Sequence, residues 1–159
     1  MDIAAQSPDP WSYDRTYEPN SALRLDGNFL SEDFCVLDGK YFFVRAVLEI
    51  PVHGLDNEWG FGCWSTLSQT NFEKYADGFD DGMFEDDGPW FGWLTNQLKF
   101  YFEDPDPIAV DVVPQLGRQR PRLFVQEEDH PLAIAQRDGI SAEAMLTLLR
   151  ACGHGPAIQ

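Results

Sequence analysis

The chain has 159 residues, of which 43% are hydrophobic and 14% aromatic, and its formal net charge at pH 7 is -16. This length and composition predict one folded domain with a core of its own and argue against a disordered chain. The charge argues against direct binding to nucleic acid or to an anionic membrane surface, because both need Lys and Arg to neutralise phosphate. No uncharged apolar run approaches the roughly 18 residues of a membrane-spanning helix.

The three cysteines are Cys35, Cys63 and Cys152, and they include no Cys-x-x-Cys pair. An odd number of separated cysteines favours a reducing compartment, so we expect a cytoplasmic protein. Residues 1–10 have neither the basic start nor the apolar run of a secretory signal. We predict no metal site, because structural zinc needs four clustered ligands, and no cofactor. Cys35 and Cys63 are expected to be buried, which leaves Cys152 as the thiol to test for reactivity.

The composition divides the chain into three parts. Residues 1–28 are polar and rich in proline, and they predict an irregular lead-in that its aromatic residues hold to the rest. Residues 29–153 predict a single α+β domain, and residues 154–159 form a short C-terminal tail.

The domain begins with the pattern of antiparallel strands. Residues 35–37 predict a strand that ends at Asp38-Gly39, a strong hairpin signal, and residues 41–52 predict the return strand. Apolar residues alternate in the return strand, which gives it two distinct faces. Residues 58–67 predict a third strand, antiparallel to the second. The apolar face carries Val44, Ala46, Leu48 and Ile50, and the other face carries Arg45, Val47 and Glu49.

The second half of the domain adds helices to the strands. Ser68 is suited to cap a helix over residues 69–76, and residues 90–94 are bulky enough to be core. Further strands are predicted over residues 99–102, 108–113 and 120–126. Two final helices follow, one from Pro131 to Gly139 and one capped by Ser141 and stopped by Gly153. Because no βαβ alternation is present, the fold class is predicted to be α+β, with an antiparallel sheet and a few short helices, the last two at the C-terminus.

An acidic segment, residues 77–88, follows the first of these helices and contains no basic residue. Its spacing does not match a calcium loop, which needs oxygen ligands at alternate positions and a glutamate at the twelfth. It is either a solvated loop or a protein-contact loop in which carboxylates surround apolar anchors. The candidate partner-binding residues are Asp77, Phe79, Asp80, Asp81, Met83, Phe84, Glu85, Asp86 and Asp87.

A second set of charged residues offers an alternative pocket. Arg45 and Glu49 share one face of the return strand, and Arg120 and Arg122 share one face of a later strand. His130 follows two carboxylates, which favour its protonated form and suit it to acid–base chemistry. The alternative is that the arginines form surface ion pairs and that His130 caps a helix. Since no nucleophile elbow or phosphate-binding glycine loop is present, we predict no catalytic residues.

Several blocks of sequence, in order, resemble a bacterial family known as domain of unknown function 2199. The similarity spans residues 33 to 150, and the family name carries no function to this chain. Many relatives begin with a Cys-x-x-Cys-Gly segment that is similar to half a zinc ribbon, but this chain has Asp9-Pro10-Trp11-Ser12 there. The resemblance implies a shared surface or a shared structural role for Arg45, Glu49, Trp64, Trp93, Arg122 and His130. The matching blocks are residues 42–52, 64–68, 71–73, 90–94, 120–122, 129–133, 136–137 and 139–140.

Charge is therefore the strongest functional signal in the sequence. It favours a cytoplasmic, non-catalytic domain that binds a basic protein partner, although acidity also serves solubility alone. An immunity protein that neutralises a basic bacterial toxin, such as a nuclease, is the particular form considered. The alternatives are an enzyme or small-ligand binder built around His130, and a regulatory domain. The pattern gives no oligomeric state.

Overall fold

The computed structural model describes residues 2–54, 59–82, 88–96, 108–117 and 119–151. Within these ranges, none of the helices combines the length and the apolar character needed to cross a membrane. The strands are β1 (Asp2–Ala4), β2 (Phe29–Leu30), β3 (Phe34–Leu37), β4 (Tyr41–Ile50), β5 (Trp59–Leu67), β6 (Trp90–Leu94), β7 (Ile108–Val113) and β8 (Arg122–Val125). The helices are α1 (Gln69–Phe79), α2 (Pro131–Asp138) and α3 (Ala142–Ala151), and a short 3-10 turn covers Asn20–Ala22.

The strands form one sheet that closes on itself. β4 and β5 pair antiparallel along their whole length, and the sheet continues through β6 and β7 to β8. β8 returns to β4, where Val47 pairs in parallel with Arg122. β3 and β2 extend the sheet beside the first half of β4, and β1 pairs with β5. The result is a closed barrel formed by β4 to β8, with short strands added at two places.

The α+β prediction is confirmed, but the sheet is mixed and not purely antiparallel. Each of β4 to β8 runs antiparallel to the one before it, so the fifth strand of the ring runs in the same direction as the first. The closing pair, β8 with β4, is therefore parallel. β1 adds a second parallel pair, and it does so from residues 1–28, which were predicted to be irregular.

The predicted β3–β4 hairpin is confirmed. Leu37 O accepts a hydrogen bond from Lys40 N at 3.1 Å, and the two residues between them, Asp38 and Gly39, have φ values of 57° and 64°. Positive φ at both central positions is the geometry that twisted hairpins favour, and glycine adopts it without steric cost.

The predicted alternation of β4 decides what lies inside the barrel. Val44, Ala46 and Leu48 are fully buried, whereas Arg45, Val47 and Glu49 point outward. α1 covers the core through Phe72 and Tyr75, whose rings pack edge to face against Phe34 of β3. Inward side chains of β6, β7 and β8 complete the cluster, including Leu94, Val110, Val112 and Leu123.

The predicted helix signals operate through hydrogen bonds. Ser68 Oγ accepts from Asn71 N at the start of α1, and Ser141 Oγ accepts from Ala144 N before α3. α2 begins with Pro131 and ends at Gly139, whose φ is 80°. The predicted strand over residues 99–102, Gly153 and the tail over residues 154–159 lie outside the described residues.

β6 approaches β5 so closely at Gly92 that no side chain fits there. A Cβ at this position would lie 2.5 Å from Thr66 O and against Ser65 Oγ. Glycine is therefore required by the spacing of these two strands.

We expect Gly92→Ala to lower the free energy of unfolding by about 1–3 kcal/mol, because β6 must move away from β5. Urea unfolding followed by circular dichroism measures the change. Phe91→Ala in the same strand is the control and should cost under about 0.5 kcal/mol, since its ring faces solvent. Equal stability of Gly92→Ala and the wild type would contradict this packing.

Candidate functional site

The acidic segment begins in helix and not in loop. α1 continues to Phe79, so Asp77 lies in its last turn, and Asp80 and Asp81 follow it as exposed residues. The expectation that Phe79 is an exposed anchor is wrong, because its side chain is only 8% exposed. The extra helical turn places it on the inward side of α1, where its ring lies 5.1 Å from that of Phe34. Met83, Phe84, Glu85, Asp86 and Asp87 lie outside the described residues.

Gly82 and Gly88, two glycines of the acidic segment, contact the connection between β7 and β8. Gly82 O accepts a hydrogen bond from Gly117 N at 3.2 Å. Gly88 packs against Pro114, because a Cβ on this glycine would lie 2.8 Å from the proline Cδ. The exposed side chains of Asp80 and Asp81 therefore lie at the end of the barrel at which β6 begins.

Three exposed aromatic side chains share the outer face of β6 to β8. Phe91, Trp93 and Phe124 are 50%, 40% and 44% exposed, and we call them the aromatic face. The rings of Phe91 and Trp93 meet edge to face at 5.1 Å. Asp111 lies between Phe91 and Phe124 in the strand register, and its carboxylate accepts a hydrogen bond from Gln126 at 2.7 Å. The aromatic face is therefore an apolar surface with a carboxylate among its rings.

Sequence reasoning assigned all of residues 90–94 to the core, so it missed the exposure of Phe91 and named Trp93 only through the family resemblance. The structure buries Trp90 and Leu94 and exposes Phe91 and Trp93. The signal was the strand period of two, which forces neighbours onto opposite faces even when every side chain is bulky.

The charged residues of the predicted alternative pocket do not converge. Glu49 and Arg122 do meet, with Arg122 Nε donating to Glu49 Oε1 at 2.6 Å across β4 and β8. Arg120 instead pairs with Asp33 at 3.3 Å. His130 Nδ1 accepts a hydrogen bond from Leu132 N at 3.0 Å, so it caps α2 as the structural alternative proposed.

Arg45 holds the N-terminal segment against the outside of the barrel. It is 8% exposed, and its guanidinium lies 5.7 Å from the ring centre of Trp64 and 5.9 Å from that of Tyr17. It also donates to Tyr17 Oη and to Glu32 O, each at 3.3 Å. In the part of the chain that the structure describes, no carboxylate pairs with it. Cation–π contacts and hydrogen bonds to neutral oxygens therefore stabilise its charge.

A cavity of about 470 Å³ lies beside the Glu49–Arg122 pair. Its walls are the end of β4, residues 122–125 of β8 and one side of α2. Gln136 of α2 takes the place of a neighbouring strand here. Its Oε1 accepts from Val125 N at 2.9 Å, and its Nε2 donates to Leu123 O at 2.8 Å.

The cysteines and carboxylates form no metal site in the described ranges, where no group of three or more His, Cys, Asp or Glu side chains could hold an ion. Cys35 and Cys63 are buried as expected. Burial raises the pKa of both thiols to about 12, so neither forms the reactive thiolate near neutral pH. Cys152 lies outside the described residues.

The barrel, its exposed carboxylates and its aromatic face define a small α+β domain. The chain matches the family described as an uncharacterized protein conserved in bacteria, DUF2199, over residues 1–140. It therefore belongs to this family, which confirms the resemblance seen in the sequence blocks. No curated protein and no solved structure matches the chain.

We expect Gln136→Ala to lower the free energy of unfolding by about 1–3 kcal/mol, because two hydrogen bonds to β8 are lost. Hydrogen exchange at the Val125 amide should also become faster. Gln126→Ala is the matched control, since within the described residues its side-chain amide donates only to the partly exposed Asp111, and its effect should be under about 0.5 kcal/mol. Unchanged exchange at Val125 in the Gln136 variant would contradict the strand-like role.

Both buried thiols should resist modification in the native protein. In a Cys152→Ser background at about pH 8, a chromogenic thiol reagent should react with neither Cys35 nor Cys63 until denaturant is added. Folding raises the pKa of each thiol, so the protonated thiols favour the folded state. This contribution to the free energy of unfolding is fully present below the unfolded pKa, and it is lost as the pH rises toward about 12. Reaction of either thiol without denaturant would contradict this burial.

Proposed function

We propose that this chain is a non-catalytic protein-binding domain whose aromatic face docks a basic protein partner. The observation that carries the proposal is the exposure of Phe91, Trp93 and Phe124 together on one outer face of the barrel. Contiguous exposed apolar side chains are typical of interaction sites, and aromatic residues are enriched in protein interfaces. The role of His130 as a helix cap supports a function without acid–base chemistry.

The charge of the chain supports a basic partner. A net charge of -16 attracts a cationic protein over long range and increases the rate of association. Asp80 and Asp81 are exposed at the end of the barrel where β6 enters the aromatic face, and Asp111 lies within that face. Carboxylates would thus orient the partner, while burial of the rings would supply most of the affinity.

An immunity protein acting in the cytoplasm is the form that this chemistry fits. A nuclease toxin binds phosphate through Lys and Arg side chains in its nucleic-acid cleft. An acidic domain docked over this cleft would exclude nucleic acid by pairing with the same side chains. The rings would make contacts that free nucleic acid does not make with the cleft, and these would give the pair its specificity.

The test is co-purification of the chain with the basic product of a neighbouring gene, followed by titration calorimetry at two salt concentrations. We expect Phe91→Ala/Trp93→Ala to weaken binding about 30-fold, equivalent to about 2 kcal/mol, because the rings lose their buried contacts. Asp77, Asp80 and Asp81, all changed to Asn, should slow association mainly at low salt.

Two controls separate the site from the surface in general. Tyr41→Ala removes an equally exposed ring at the start of β4, and Glu143→Gln removes an exposed charge in α3. Neither should change the affinity measurably. Retention of no basic protein at low salt, or full affinity in the Phe91/Trp93 variant, would contradict the proposal.

A further inference from the structure

The cavity beside Glu49 and Arg122 exists because β4 and β8 pair at only one register position, Val47 with Arg122. Val47 N donates to Pro121 O at 2.9 Å, and beyond this point the two strands part. β4 continues toward Ile140, which follows α2, while the amide of Gln136 covers the edge of β8. The space left between them, about 470 Å³, falls within the range of small-molecule sites, which runs from about 300 to 1,000 Å³.

The rim of the cavity carries charges of both signs, and some of their hydrogen-bonding capacity is unused. Arg122 donates a hydrogen bond from its Nε to Glu49, and within the described ranges its two terminal nitrogens make no hydrogen bond. Glu128 also lines the cavity, where it interacts electrostatically with Arg137 but forms no salt bridge or hydrogen bond within the described residues. Arg137 completes the rim, and Asp138 pairs with it. A guanidinium fork and a separate carboxylate are therefore available to a ligand.

The floor between these charges is apolar. The ring of Phe124, which is partly exposed, forms one wall, and Pro51, Val125 and Ala133 form the others. The two arginines and two glutamates of the rim carry no net charge, although the chain as a whole carries -16. Glu49 already pairs with Arg122, and Arg137 already pairs with Asp138. A purely anionic ligand would meet the carboxylate of Glu128, and a purely cationic ligand would meet the guanidinium of Arg122. A ligand with one charge of each sign has both of its charges balanced.

We propose that this cavity binds a small amphoteric ligand of the amino-acid class with an apolar side chain. The carboxylate lies on the terminal N–H groups of Arg122, which present parallel donors to it. The ammonium group lies at Glu128, and the side chain covers Phe124 and Pro51. The ligand is a free amino acid or a short peptide with both termini charged, and its site shares Phe124 with the aromatic face.

Titration calorimetry on the full chain tests the need for both charges. The probes are leucine, N-acetylleucine, leucinamide and the dipeptide leucyl-leucine. We expect leucine or the dipeptide to bind about tenfold or more tightly than either singly charged derivative, because each derivative loses one charge-assisted contact. Tighter binding of leucine assigns a free amino acid as the source, and tighter binding of the dipeptide assigns a peptide.

Two variants connect each charge to its residue. Glu128→Gln should weaken the binding of leucine and leucinamide about tenfold and leave that of N-acetylleucine unchanged. Arg122→Gln should weaken the binding of leucine and N-acetylleucine about tenfold and leave that of leucinamide unchanged. Glu127→Gln is the matched control, since Glu127 is the exposed neighbour of Glu128 and does not line the cavity. Glu128→Gln keeps the test valid if Arg122→Gln fails to fold, because Glu128 is exposed and forms no salt bridge or hydrogen bond within the described ranges.

Three outcomes would overturn the proposal. They are no binding by any of the four probes, N-acetylleucine or leucinamide binding as tightly as leucine, and Glu127→Gln having the same effect as Glu128→Gln. Phe91→Ala/Trp93→Ala should leave leucine binding unchanged, so failure of the ligand test is distinct from failure of the protein-docking test.

Discussion

The structure depends on the pairing of β4, which is hydrogen-bonded along both edges to several partners. One edge pairs with β5 from Phe42 to Ile50. The other edge is shared between β3, which pairs with residues 41–44, and β8, which pairs at Val47. Because side chains alternate along a strand, this pairing fixes the inward core residues and the outward Arg45 and Glu49 together. A register slip of one residue would exchange the two sets and would bury charge in the core.

The number of strands in the ring explains the cavity. Five strands that alternate in direction must close with one parallel pair, and here that pair is a single contact between β4 and β8. Unpaired backbone N–H and C=O groups at such an edge lower the stability of the fold when they are buried, and they can pair with another chain when they are exposed. The side chain of Gln136 satisfies two of them, and Ile140 pairs with Val52, two residues after the end of β4. Closure of the barrel therefore leaves a space between a helix and a splayed strand pair.

Local chemistry in the sequence predicted a large share of this fold. The turn at Asp38-Gly39, the caps at Ser68 and Ser141, and the alternation of β4 each act over a few residues, and each was confirmed. The parallel pairs were missed because they join residues far apart in the chain, and no local pattern encodes which strand closes a ring. The direction of Phe79 was missed because helix α1 runs one turn beyond the predicted end.

The candidate site was less predictable than the fold for the same reason. Glu49 and Arg122 were chosen for their strand faces and do meet, because alternation determines the face. Arg45 and Arg120 were also chosen for their strand faces, and His130 for the carboxylates before it, but each finds a structural partner elsewhere. A charged residue in a sequence therefore indicates that its side chain needs an interacting group, and the tertiary structure determines which group lies near it.

The aromatic face and the cavity beside Arg122 differ in how their charges are paired. In the described residues, Arg24, Arg120, Arg122 and Arg137 each pair with a carboxylate, whereas the exposed Asp81 is in none of these pairs. The negative field that a distant protein senses therefore comes from carboxylates outside these pairs, and salt weakens it because those charges are solvated. The cavity balances its charges within contact distance, where screening is weaker. Docking on the aromatic face should thus depend on ionic strength more steeply than ligand binding beside Arg122.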